Sequence, residues 1–218
     1  MRHHIKELKV NSPIKSQPYF SRLIDGEMSL EQFKVTQLNI LPAVSYFSLP
    51  MFYLCTRLES YEERINILEN INDEHGNGNL SKSHGFTYKS YLTSLGIKKN
   101  TIDQSPVHPS IEYFNNILME TVKNKNVLLA IACLGMIEER YAEISKLLVE
   151  NLINKKWIKS EELTHYSIHQ DVDKHHSNLF FTLLETEWKE SLNSRQEIVS
   201  GIDLGNDLVL NLYNNLLK

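Results

Sequence analysis

Along most of this 218-residue chain, apolar positions recur at alternating steps of three and four, the spacing of a helix with one buried face. A short first helix ends at Gly26 in PYFSRLIDGEMS. Ser29 is placed to cap the next, with Glu31 and Gln32 at its start and an apolar pattern running to about Leu58. Pro42 and Pro50 should kink or break that helix. Ser60 caps a third, YEERINILENINDEH, and the glycines and asparagines of HGNGN, which tolerate the left-handed conformation, close it. A fourth runs from about Ser81 to Leu95 and stops at Gly96. Residues 97–108 read as a loop with Pro106, and Pro109 follows it. The remaining helices cover about 110–123, 126–153, 160–192 and 194–217. The pattern predicts an all-α bundle of seven or eight helices. It holds no repeat, low-complexity tract or dividing linker, so one domain over residues 1–218 is expected.

Composition agrees. Eight glycines and six prolines are few for this length, which disfavours a turn-rich β fold. The formal net charge of -4, with lysines and arginines scattered, excludes the basic footprint of a nucleic-acid binder. The longest apolar run, VLLAIACLGMI at 127–137, is too short for a bilayer, which needs roughly 20 residues. MRHHIKELKV has no apolar core of a signal peptide, so a cytoplasmic protein with no membrane partner is expected. Cys55 and Cys133 sit in apolar stretches and read as buried thiols in a reducing compartment.

The chemistry lies in polar residues that interrupt apolar faces. On the helix over 126–153, Ile131, Leu134, Glu138, Tyr141, Ser145, Leu148 and Leu152 form one line, so Glu138 points inward. Glu139 falls on another line with Gly135, Glu143, Lys146 and Glu150, which reads as a solvated face. A buried carboxylate must be paired or must bind a metal; an ion pair with an inward Arg or Lys is the bland reading of Glu138. In HQDVDKHH, residues 169–176, His169, Asp173 and His176 stand at i, i+4 and i+7, and their line continues into Phe180, Leu183 and Leu184. One histidine on such a stripe is usually a satisfied core residue. Two flanking an aspartate point to metal. Asp171 and His175 fall on the other side and should meet water. His165, four residues before His169, is placed to line the same cavity beside the metal ligands or against substrate. Near the end of the third helix, Ile67, Ile71 and Glu74 form an inward line, but Leu68, Ile71 and His75 form another, and periodicity does not choose between Glu74 and His75. His84 opens the fourth helix on a line with Tyr88, Tyr91 and Leu95. The set Glu74, His84, Glu138, His169, Asp173 and His176 mixes imidazole with carboxylate, which suits iron or manganese better than structural zinc. Six ligands suit two ions bridged by carboxylates.

The ordered pattern resembles that of the heme-oxygenase-like diiron oxidases, relatives in fold of the TenA and PqqC proteins. It runs from PYFSRLIDGEMSLEQF through ENINDEHGNGNLSKSHGFTYKSYLTSLGI to GMIE and HYSIHQDVDKHH, residues 18 to about 180. The family pattern is a Glu, a His some seven to ten residues on, a Glu on a later helix, then H-x3-D-x2-H. It falls on Glu74, His84, Glu138, His169, Asp173 and His176, and it selects Glu74 over His75. The resemblance implies a bundle of about seven helices, two iron ions or a manganese–iron pair, and O2 as cosubstrate. It implies a small substrate carrying a carboxylate, an amino acid or derivative, and leaves oligomeric state open, a homodimer among the options. FSRLIDGEMSLEQF is similar to the branch of a chlamydial death-domain-associating protein, which makes para-aminobenzoate by consuming one of its own tyrosines. This chain has Phe20, Ile137 and His165 where that branch has tyrosines, which argues against self-sacrifice, although Tyr19 is one position away. A TenA-like enzyme with Cys133 as nucleophile and a non-catalytic helical binding protein are the other readings.

Overall fold

Two serines start helices by the same exchange of hydrogen bonds. Ser29 Oγ accepts the Gln32 backbone N–H at 3.2 Å while the Gln32 side chain accepts the Ser29 N–H at 2.9 Å. Ser60 and Glu63 repeat the arrangement at 3.1 and 3.2 Å. Each reciprocal pair satisfies donors that a helix start leaves orphaned. The computed structural model describes residues 1–217, apart from the side chains of 164 and 167–172.

The helices are α1 (Arg2–Asn11), α2 (Pro18–Ile24), α3 (Leu30–Tyr46), α4 (Ser48–Cys55), α5 (Tyr61–Glu74), α6 (His84–Ser94), α7 (Lys99–Gln104), α8 (Pro109–Asn124), α9 (Val127–Asn154), α10 (Thr164–Leu183), α11 (Glu185–Glu190) and α12 (Leu192–Asn215), with short 3-10 turns between some of them. The fold is all-α, as the periodicity implies, but more finely divided than seven or eight helices. Three divisions differ from the pattern. Helix α1 buries only Ile5, too little for periodicity to register. Helix α7 lies within 97–108, where the pattern implies a loop, and is held by buried Ile102. The helix read over 160–192 starts at Thr164 and breaks after Leu183, leaving α11 as a separate piece. Pro42 stays inside α3, and the break falls at Phe47 instead. Pro50 then occupies the first turn of α4, where a missing N–H costs nothing. The stretch Leu30–Cys55 is long and apolar enough, by composition, to cross a membrane. Here Phe33, Ile40, Met51 and Leu54 from that stretch are fully buried in the core.

Helix α9 runs through the middle, packed on α10 along one side and α12 along another. Gly201 and Gly205 of α12 let the backbones touch: a Cβ at Gly205 would lie 2.4 Å from the Cys133 carbonyl oxygen, and one at Gly201 2.3 Å from that of Leu129. Helix α10 also meets α5 and α6. The four helices carrying the ionisable stripes therefore converge. The α5–α6 connection makes this possible by folding tightly. Gly76 has a positive φ of 67°, and a side chain there would strike the Lys82–Ser83 backbone at 2.6 Å. Both cysteines are free and buried, as expected.

Candidate metal centre

Helices α5, α6, α9 and α10 contribute to one buried polar site. The last turn of α5 presents Asn70 and Glu74, α6 opens with His84, the middle of α9 supplies Glu138, and α10 supplies Asp173 and His176. All six side chains are buried. His84 Nδ1 lies 2.7 Å from Glu74 Oε1. Glu138, Asp173 and His176 form a second group, whose oxygen and nitrogen donor atoms all lie within 4.8 Å of one another. Glu74, His84, Glu138 and Asp173 line a single cavity with Ala43, Val44, Phe47, Phe114, Tyr141, Ser145, His165 and Tyr166.

His176 shows how the site is oriented. Its Nε2–H donates to Asp73 Oδ2 at 3.0 Å, which leaves Nδ1 as the lone-pair nitrogen. Nδ1 is fully buried, has no hydrogen-bond partner among the described residues, and lies 3.9 Å from Glu138 Oε1. A buried, unpartnered imidazole nitrogen facing two carboxylates is the arrangement a cation completes. Electrostatics agree. Burial pushes the Glu138 carboxyl well above its ordinary range, and the nearby Asp173 and Glu74 carboxylates push it further, while the Asn70 amide, donating at 2.8 Å, offsets part of this. Burial likewise pulls the His176 imidazole below its ordinary value, against the opposing Asp73 carboxylate. Carboxylate and imidazole donors without thiolate are the set for iron or manganese, so the residues fit the group that the sequence pattern implies.

Of the sequence-derived ligands, Glu74, His84, Glu138, Asp173 and His176 are therefore brought together. His169 lies outside the described residues, as does Asp171. His165 lines the cavity as anticipated. Its ring stands edge-on to His84 and Tyr88, at 5.9 and 4.9 Å between centroids, and its Nδ1 is 3.0 Å from Thr87 Oγ1. The structure also decides between neighbours: His75 is exposed, with Nδ1 at 2.8 Å from the Ile71 carbonyl, so Glu74 is the inward residue. His175 is exposed and meets Glu69 at 2.7 Å, as its place on the stripe required.

Glu139 is a correction. It is buried, not solvated, and 3% exposed like Glu138. Helix α10 and the N-terminal helix α1 cover the face read as open. Lys9 Nζ reaches Glu139 at 2.5 Å, Lys174 Nζ at 2.6 Å, and Ser177 Oγ donates at 3.0 Å. Burial opposes ionisation of Glu139, but Lys174 and Lys9 outweigh it and hold its carboxyl below the ordinary range. Sequence reasoning also missed Asp73 and Asn70. Asn70 was findable, since it shares the inward line of Ile67, Ile71 and Glu74. Asp73 was not, because its role depends on a residue 103 positions away.

Over residues 38–209 the chain matches the family model described as an iron-containing redox enzyme. The protein belongs to that family of iron-containing redox enzymes. Its fold is heme-oxygenase-like, shared with a domain of unknown function from Shewanella denitrificans at TM-score 0.78 and 12% identity, covering 99% of this chain and 88% of that one. A CADD-like protein of unknown function from Nostoc punctiforme superposes at TM-score 0.79 with 15% identity, over 99% and 96% of the two chains. A TenA homologue from Pseudomonas syringae pv. tomato gives 0.75 and 15%, over 99% and 89%. No curated protein matches this chain in sequence.

Proposed function

We propose that the protein is a non-heme diiron oxidase or oxygenase that uses O2 to oxidise a small carboxylate-bearing molecule, an amino acid or derivative. The observation that carries this reading is the buried group of Glu138, Asp173 and His176, with His176 Nδ1 unpartnered, sharing a cavity with the Glu74–His84 pair. These five residues would hold the ions, and the family resemblance adds His169. Two ferrous ions held there would supply O2 with two electrons, and the substrate being oxidised would supply the other two. The chain's own residues prepare the place. Asp73 keeps a proton on His176 Nε2 and so keeps Nδ1 available. Asn70 fixes the Glu138 carboxylate. Ala43, Val44, Phe47 and Phe114 exclude water from the remaining wall. Three carboxylates against two divalent ions leave a residual charge that a substrate carboxylate can neutralise.

A thiol-based reaction of the sort considered for Cys133 has no support. Burial pushes that thiol up to about 12, and it does not line the cavity. Consumption of a side chain at position 19 or 20 has no support. Phe20 has no hydroxyl to give, and the Tyr19 hydroxyl is held by Thr36 at 2.8 Å and Gln37 at 3.1 Å. The test is anaerobic iron loading with elemental analysis, then O2 exposure with a panel of amino acids and fatty acids followed by absorbance. Two irons per chain and substrate-dependent O2 uptake are expected. One iron or none, with all six residues intact, would sink the reading.

A further inference from the structure

Ser145 stands out among the helical hydroxyls. In this fold Ser90, Thr93 and Thr121 return their hydroxyls to the carbonyl one turn back, at 3.1, 2.9 and 2.8 Å. That is the usual refuge of a serine or threonine inside a helix. Ser145 is fully buried on α9, lines the cavity, and has no hydrogen-bond partner among the described residues. A buried hydroxyl left without a partner costs stability, and proteins keep few of them. It shares a helix face with Glu138 and Tyr141, and it lies seven residues beyond Glu138, or about 10 Å along the axis. The cavity's apolar lining is Ala43 and Val44 from α3, Phe47 between α3 and α4, and Phe114 from α8. No lysine or arginine is among the cavity's described lining residues.

We infer that Ser145 is a substrate-anchoring residue, and that the substrate is a slender, apolar-bodied carboxylate whose far end carries an uncharged hydrogen-bonding group. This rests on the diiron reading for the position of the carboxylate. With no cationic side chain along the wall, the carboxylate has only the metal end to go to. The body then runs between the apolar side chains, and the tip meets the Ser145 hydroxyl. A charged tip would be stranded, because nothing of opposite sign lines that end. An amino acid satisfies the rule if both its head groups stay at the metal end and its side chain is neutral at the tip.

The experiment compares hexanoate with 6-hydroxyhexanoate by calorimetry on the iron-loaded, O2-free protein. The two probes differ by one hydroxyl at the tip. In the wild type the hydroxyl should tighten binding by about three- to tenfold, the range of one added hydrogen bond. In Ser145→Ala that gain should vanish while hexanoate binds as well as before, which also shows that the variant is folded. A gain that survives Ser145→Ala, or no gain in the wild type, overturns the assignment. Failure of the loaded protein to bind either probe overturns the open-chain body. The same titrations without metal separate this inference from the one beneath it: binding unchanged by omitting iron removes the carboxylate from the metal end and counts against the diiron site, whatever Ser145 does.

Discussion

Glu138 and Glu139 are adjacent and equally buried, yet their removal should have very different consequences in the metal-free protein. Glu139 is compensated on every side, by Lys9, Lys174 and the Ser177 hydroxyl. In Glu139→Ala, Ser177 is left as a buried donor without its acceptor, which costs about 1 kcal/mol. Breaking a fully buried pair costs about 3–5 kcal/mol. That figure must be discounted, because the Lys174 side chain is 52% exposed and can turn to water, and Lys9 keeps Glu143 at 2.9 Å. The net expectation is a loss of about 2–4 kcal/mol, or roughly 4–16 °C in melting temperature for a chain of this size. Glu138 is the reverse case, an inward carboxylate crowded by Asp173 and Glu74. Glu138→Ala relieves that crowding at the expense of a small void and an unsatisfied Asn70 amide, and should stay within about 1 kcal/mol of wild type. Urea unfolding of chelator-treated wild type and both variants measures the difference. With iron restored, Glu138→Ala should lose the stabilisation that metal confers on the wild type, since binding to the folded state alone stabilises it. A Glu139→Ala variant within 0.5 kcal/mol of wild type would refute the reasoning, since that is the ordinary scale of a surface substitution.

Asp73→Ala should weaken metal binding about 10- to 100-fold in chelator competition, because nothing then fixes the His176 tautomer; unchanged affinity would mean that the Asp73 contact is incidental. His176→Ala should abolish binding of at least one ion by elemental analysis, and exposed His175→Ala should retain full metal content. Gly205→Ala should destabilise the fold by about 1–3 kcal/mol or more in thermal unfolding, because its Cβ would press on the Cys133 carbonyl of α9; an unshifted melting temperature would show that α12 can stand off from α9.

Local sequence determined a good deal of this protein. Helical periodicity, with Ser29 and Ser60 as caps and Gly26, Gly76 and Gly96 as stops, was enough to delimit most helices, because caps and left-handed stops are decided within a few residues. The same periodicity turned Glu138, Asp173 and His176 inward, since a stripe that is apolar further along carries its polar members into the core with it. What it could not supply was what covers a face. Glu139 sits on a line with Glu143, Lys146 and Glu150 that looks like a solvated surface. It becomes interior only because α1 and α10 arrive from distant parts of the chain with Lys9 and Lys174. Glu74 and His75 differ by one step of about 100° on a helix that is apolar on two neighbouring lines, so periodicity did not choose between them; the family pattern favours Glu74, and the packed structure buries Glu74 and leaves His75 exposed. The Asp73–His176 contact and the orphaned Ser145 hydroxyl are properties of the assembled cavity. Each depends on which groups long-range packing leaves beside it, and that information is in no single helix.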